Sequence, residues 1–171
     1  WQPRGGRRDG QRYRGGGGGR DRYRRNDPPP PEPVDTQFAL NRGQRQERTF
    51  LAFCIALPEQ GEQRLGTIDF DDYFSAPATR QAAAHLRGRL RSPTANLPAG
   101  DDTLARLIAE LVIDSDRLEA TPAKFELEAL QLELHRLERR IASARVSGAK
   151  GVHELAVERQ RVLDEIRHKL N

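Results

Sequence analysis

One cysteine, Cys54, stands in a chain of 171 residues. It allows no internal disulfide framework and no cysteine-based zinc site, and a reducing, intracellular setting is expected. Aromatic residues are few, at 6%, and the apolar share of 36% is below the ~45–50% usual for globular chains. Long apolar runs are missing as well. The longest, Phe50 to Leu57, is eight residues, against the ~20 that span a bilayer, so no membrane partner is expected. The first residues form no apolar signal stretch. Lysine is rare, with 3 residues against 26 arginines, a bias that suits a GC-rich genome. The chain opens on Trp1 inside a low-complexity segment and reads as a piece of a longer polypeptide.

What charge there is lies unevenly. The formal net charge is +4, and residues 1–37 carry nine arginines against five acids. Residues 38–171 therefore hold equal numbers of bases and acids. A basic globular body that grips nucleic acid with its folded face is excluded. The basic segment has too little apolar surface to offset its ordering entropy. It ends in the polyproline-like block Pro28–Pro33. Residues 1–43 read as a disordered linker, with a flexible reach of roughly 35 Å for the first 37 residues before the stiff prolines extend it. Its arginines Arg7, Arg8, Arg12, Arg14, Arg24 and Arg25, interleaved with Gly, Tyr13 and Tyr23, are candidates for weak single-stranded nucleic-acid contact. The competing reading is a solvated tether.

The remainder reads as all-α: a bundle over 44–120, then a long antiparallel helical hairpin over 121–171. Gln44–Leu57 is a helix ended by Pro58, and a short one follows over Glu59–Leu65. Thr67–Phe70 is a strand-like run too short to found a sheet. Asp69–Phe74 is a single helical turn. Ser75 with Pro77 opens a helix to about Arg91. Asp101 caps a helix to Asp116 with the stripe Leu104, Leu107, Ile108, Leu111 and Val112. Thr121 and Pro122 open a helix to about Val146, whose Leu127, Leu130, Leu134, Leu137, Ile141 and Ala144 make a heptad seam. Ser147–Gly151 is a turn, and Val152–Leu170 the return helix.

Both hairpin helices carry a second apolar line: Phe125, Ala129 and Leu132 on the first, Ala156, Leu163 and Leu170 on the second. This extra line faces the upstream helices, a second chain or a partner groove. In the partner reading, Leu132, Leu163 and Leu170 are apolar contacts, ringed by Arg136, Arg139 and Arg140.

Catalytic patterns are sparse. Asp69, Asp71 and Asp72 could ligate a metal, but helix-start capping explains them better. His85, His135, His153 and His168 form no i, i+4 pair. Ser147–Gly151 lacks the strand and the Gly-Lys-Ser/Thr ending of a phosphate loop. Gly15–Gly19 has no strand or helix around it. Cys54 sits within an apolar run and reads as core.

The order of four segments is distinctive: Glu47-Arg-Thr-Phe-Leu-Ala-Phe-Cys-Ile-Ala-Leu-Pro-Glu59, Asp69-Phe-Asp-Asp-Tyr-Phe-Ser75, Arg80-Gln-Ala-Ala-Ala-His-Leu-Arg87 and Leu132-Glu-Leu-His-Arg-Leu-Glu-Arg-Arg-Ile141. Residues 44–171 resemble the C-terminal helicase-interaction domain of bacterial replicative DNA primases of the DnaG type. The resemblance implies a helical bundle plus hairpin that docks on the hexameric replicative helicase at the replication fork, in the cytoplasm. It implies no catalytic residue, metal or cofactor in this segment. Zinc, magnesium and RNA-primer synthesis by the nucleotidyltransferase core would belong upstream. Two other readings stay open on the residues alone. One is an RNA-binding helical adaptor with an Arg-Gly arm; the other is an antiparallel coiled-coil scaffold.

Overall fold

The computed structural model describes residues 36–170 of the chain, and those residues are all-helical. The helices are α1 Thr36–Ala56, α2 Pro58–Thr67, α3 Phe70–Tyr73, α4 Pro77–Leu86, α5 Asp102–Arg117, α6 Pro122–Ser147 and α7 Val152–Leu170. The six tail arginines proposed for nucleic-acid contact, and most of the expected linker, lie outside the described residues. The last eight residues of that linker, 36–43, belong instead to α1.

α1 is the hub and packs on α2, α4, α5 and α6. Its apolar half, Phe50 to Cys54, is buried throughout. Phe50 stacks at 6.4 Å from Phe74 and 5.9 Å from Phe125, so three distant segments meet on one ring. Leu65, Ala82, Ala83, Leu86, Leu107, Ile108 and Leu111 complete the core with the α6 residues Phe125, Ala129 and Leu132. Each large apolar side chain buried this way contributes about 1.5–3 kcal/mol.

Pro58 ends α1 and begins α2 at once, because its ring takes no intrahelical hydrogen bond at a first helical position. The two helices then lie very close. A Cβ on Gly61 would stand 2.6 Å from the Cys54 carbonyl oxygen, so only glycine fits. The run Thr67–Phe70 forms no strand. Thr67 closes α2, Ile68 is extended, and Asp69 caps α3 by accepting from Asp71 N at 3.0 Å.

α4 starts differently from the expectation. Ala76, not Ser75, is the N-cap residue, and no side chain of its own caps it. Glu47 of α1 supplies the acceptor from 28 residues away, taking Ser75 N and Ser75 Oγ, both at 2.6 Å. α4 also stops at Leu86, before Arg91. Gly88 adopts φ 76°, and Glu62 accepts from Gly88 N at 2.8 Å and Leu90 N at 3.3 Å. Asp101 caps α5 through Leu104 N, and Thr121 caps α6 through Lys124 N, as read from the sequence. α6 ends in Gly148 at φ 64°, with Ala149 N bonded back to Ala144 O.

Candidate partner-docking surface

α6 has two differently used faces. Phe125, Ala129 and Leu132 turn into the core, while Leu137 and Ile141 are buried on the side shared with α7. The heptad line is thus closed only in its second half. Leu127, Leu130 and Leu134 remain half-buried. Leu132, expected at the docking surface, is 1% exposed within the core, so the second apolar line of α6 is taken by the upstream helices. No partner can reach it.

The expected arginine ring divides in the same way. Arg136 is spent inside the fold: its side chain is 12% exposed, pairs with Asp72 at 2.6 Å and Glu133 at 2.5 Å, and lies 4.8 Å over the Tyr73 ring. Burial opposes its charge, but the bonds to Glu133 and Asp72 outweigh burial and raise its pKa. The same setting pushes Tyr73 up to about 12, through burial first and its hydrogen bond to Glu133 second. Arg136 is therefore a clamp between α6 and α3 rather than a surface contact. Arg139 gives one N–H to the Asp72 carbonyl oxygen, while its Nε is buried without a partner. Burial lowers its pKa. Arg140 is exposed and reaches Asp72 only at 3.9 Å. Leu163 is half-buried and Leu170 is 66% exposed.

The three clustered aspartates are accounted for individually. Asp69 caps α3, Asp71 pairs with Arg80 at 2.8 Å, and Asp72 holds Arg136. Among the described residues, no group of three His, Cys, Asp or Glu side chains is placed to hold a metal ion. Cys54 is fully buried, and burial pushes its thiol up, away from the reactive thiolate. His85 bonds the Pro93 carbonyl oxygen at 2.8 Å. No described helix is long and apolar enough to cross a membrane.

A buried polar knot links three of the four distinctive sequence segments, 47–59, 69–75 and 132–141. The Glu47 side chain is fully buried, and beside the two Ser75 bonds it accepts from Thr79 Oγ1. Across the same junction Arg136 and Arg139 reach back to Asp72. Sequence reading missed Glu47 as a site because its partners lie 28 or more residues away. The available signal was a lone acid at the head of an apolar helix half.

A concavity lies beside this knot. It is a groove of about 630 Å³ between the start of α1 and the α6–α7 pair. Leu134, Ala142, Leu163 and Ile166 give it apolar walls, and Arg42, His135, Glu138 and Arg139 line its polar side. His135 rests on α1 at Gly43, where a Cβ would meet its ring at 2.3 Å. Burial, and then the nearby Arg139 charge, hold the imidazole below its ordinary range. α7 packs along α6, but Val162 is its one fully buried residue among 19. Arg159 of α7 bonds Glu138 of α6 at 3.2 Å, and Glu158 lies 3.5 Å from Arg136. No protein-family model, curated protein or solved structure matches this chain.

Proposed function

We propose that this chain is the helicase-docking part of a bacterial DNA primase and carries no catalytic site of its own. One observation carries the reading: α7 is a 19-residue helix with only Val162 buried, and its Val157 and Leu170 stand 41% and 66% exposed. A helix of this length draws most of its stability from packing an apolar face. α6 covers one side of α7, leaving Val152, Leu155, Leu163 and Ile166 half-buried, and a partner that covers the exposed side completes that packing. Three of the four segments that resemble the primase domain support the same reading, because they converge on the Glu47 and Asp72 contacts.

In this role the domain acts by effective concentration. Docking holds a tethered polymerase core beside the single-stranded template that leaves the helicase. The test is a calorimetric titration of the full chain into the hexameric replicative helicase of the same organism. Saturable binding is the expected result. Absence of binding, by heat and by co-sedimentation, contradicts the proposal.

A further inference from the structure

We infer that the groove between α1 and the α6–α7 pair receives an apolar segment bearing a carboxylate, contributed by the helicase. The inference rests on the docking proposal above and adds where the partner sits and what chemistry it presents. The apolar part follows from the walls. Leu134, Leu163 and Ile166 are half-buried, and Ala142 is exposed, so the groove offers contiguous carbon surface that the fold does not cover. A volume of about 630 Å³ suits a few side chains rather than a whole domain.

The carboxylate follows from charge. Glu138 is the acid on the lining, and two N–H groups of Arg159 already hold it. Arg42, on the opposite wall, is exposed. Arg139 brings a second guanidinium, one N–H of which bonds the Asp72 carbonyl oxygen while its unpaired Nε is buried out of a ligand's reach. The lining therefore carries an excess of positive charge next to apolar surface. An acidic residue flanked by apolar ones complements both features. A basic segment would meet two arginines with only a neutralised acid to receive it.

This groove also redistributes the contacts expected from sequence. Leu163 and Arg139 belong to it, while Leu132 and Arg136 are consumed by the fold. Arg42, Leu134, Ala142 and Ile166 join it.

The experiment is helicase binding by full-length Leu163→Asp, Arg42→Glu and Arg42→Lys chains, with Val146→Asp as control. Val146 is 91% exposed at the end of α6 and outside the groove lining. Leu163→Asp weakens binding by roughly tenfold or more, from the lost apolar burial and a charge set against carbon. Arg42→Glu weakens it by about tenfold and flattens its salt dependence. Arg42→Lys and Val146→Asp bind within about threefold of the unaltered chain. If Leu163→Asp loses helicity by circular dichroism, the exposed Arg42 pair decides alone. Normal helicase binding by both Leu163→Asp and Arg42→Glu overturns the groove while docking itself stands. Failure of the unaltered chain to bind removes both. Light scattering supplies a further overturning outcome. If the unaltered chain is a dimer, Leu163→Asp is a monomer and helicase binding persists, the groove holds a second copy instead.

Discussion

Removing the Glu47 carboxylate tests the least expected contact in the fold. Glu47→Ala deletes the acceptor that links α1 to the start of α4. Its consequences differ by donor. Thr79 Oγ1 keeps a second acceptor, the Ala76 carbonyl oxygen at 3.0 Å. Ser75 Oγ belongs to a half-buried residue and can turn to water. Ser75 N–H loses its acceptor at the junction, which costs about 1–3 kcal/mol. The lost stem, one buried methylene, adds about 0.8 kcal/mol. Loss of an anion at the α4 N-terminus adds roughly 0.3–1 kcal/mol. Relief of a buried charge offsets part of this, because no cation lies within ion-pair distance of Glu47 among the described residues. The net expectation is about 2 kcal/mol for Glu47→Ala. Glu47→Gln keeps the stem and one acceptor oxygen, and should cost about 1 kcal/mol. Urea unfolding followed by circular dichroism measures both, with unchanged m-values. A loss below about 1 kcal/mol for Glu47→Ala, or a larger loss for Glu47→Gln than for Glu47→Ala, would refute the reasoning.

Two further outcomes follow from buried titratable groups. Cys54 should resist a thiol-reactive disulfide reagent at pH 8 in the folded chain and react only as fast as the chain opens, because burial disfavours its thiolate; prompt stoichiometric labelling would contradict its core placement. His135 has a folded pKa below its ordinary 6.5, so the unfolded chain binds more protons in the window below that value. Its contribution to stability is intact above pH 6.5 and is lost as the pH falls toward the folded pKa. The loss of stability on going from pH 7 to pH 5 should therefore be steeper for the unaltered chain than for His135→Gln, and equal slopes would show that the imidazole is not desolvated at the α1–α6 contact. Glu128, raised by burial, acts in the opposite direction and cancels in that comparison.

Local signals made much of the fold legible. Asp101 and Thr121–Pro122 mark the α5 and α6 starts by themselves, since each cap bonds an N–H three residues on. The α5 stripe and the Gly148 stop are equally local. The misses share another cause. The start of α1 at Thr36 precedes any apolar periodicity, so hydrophobic pattern could not place it. The start of α4 depends on a carboxylate from α1, and its end on Glu62 from α2. Strand-like composition at Thr67–Phe70 yields to the requirements of two flanking helices. The docking surface was legible only in part. Two apolar lines on α6 are visible in sequence, but which one the bundle consumes depends on Phe50 meeting Phe125 across the core. Leu132 fell on the consumed side of α6, while Leu163, on α7, borders the open groove.

The central claim is that α7 and the groove it borders are the face a helicase covers. Amide hydrogen exchange on the full chain, with and without the hexameric helicase, reads that face directly. Protection should concentrate on α7, the facing second half of α6 and the start of α1. Unchanged exchange there, or protection confined to α4 and α5, would contradict it.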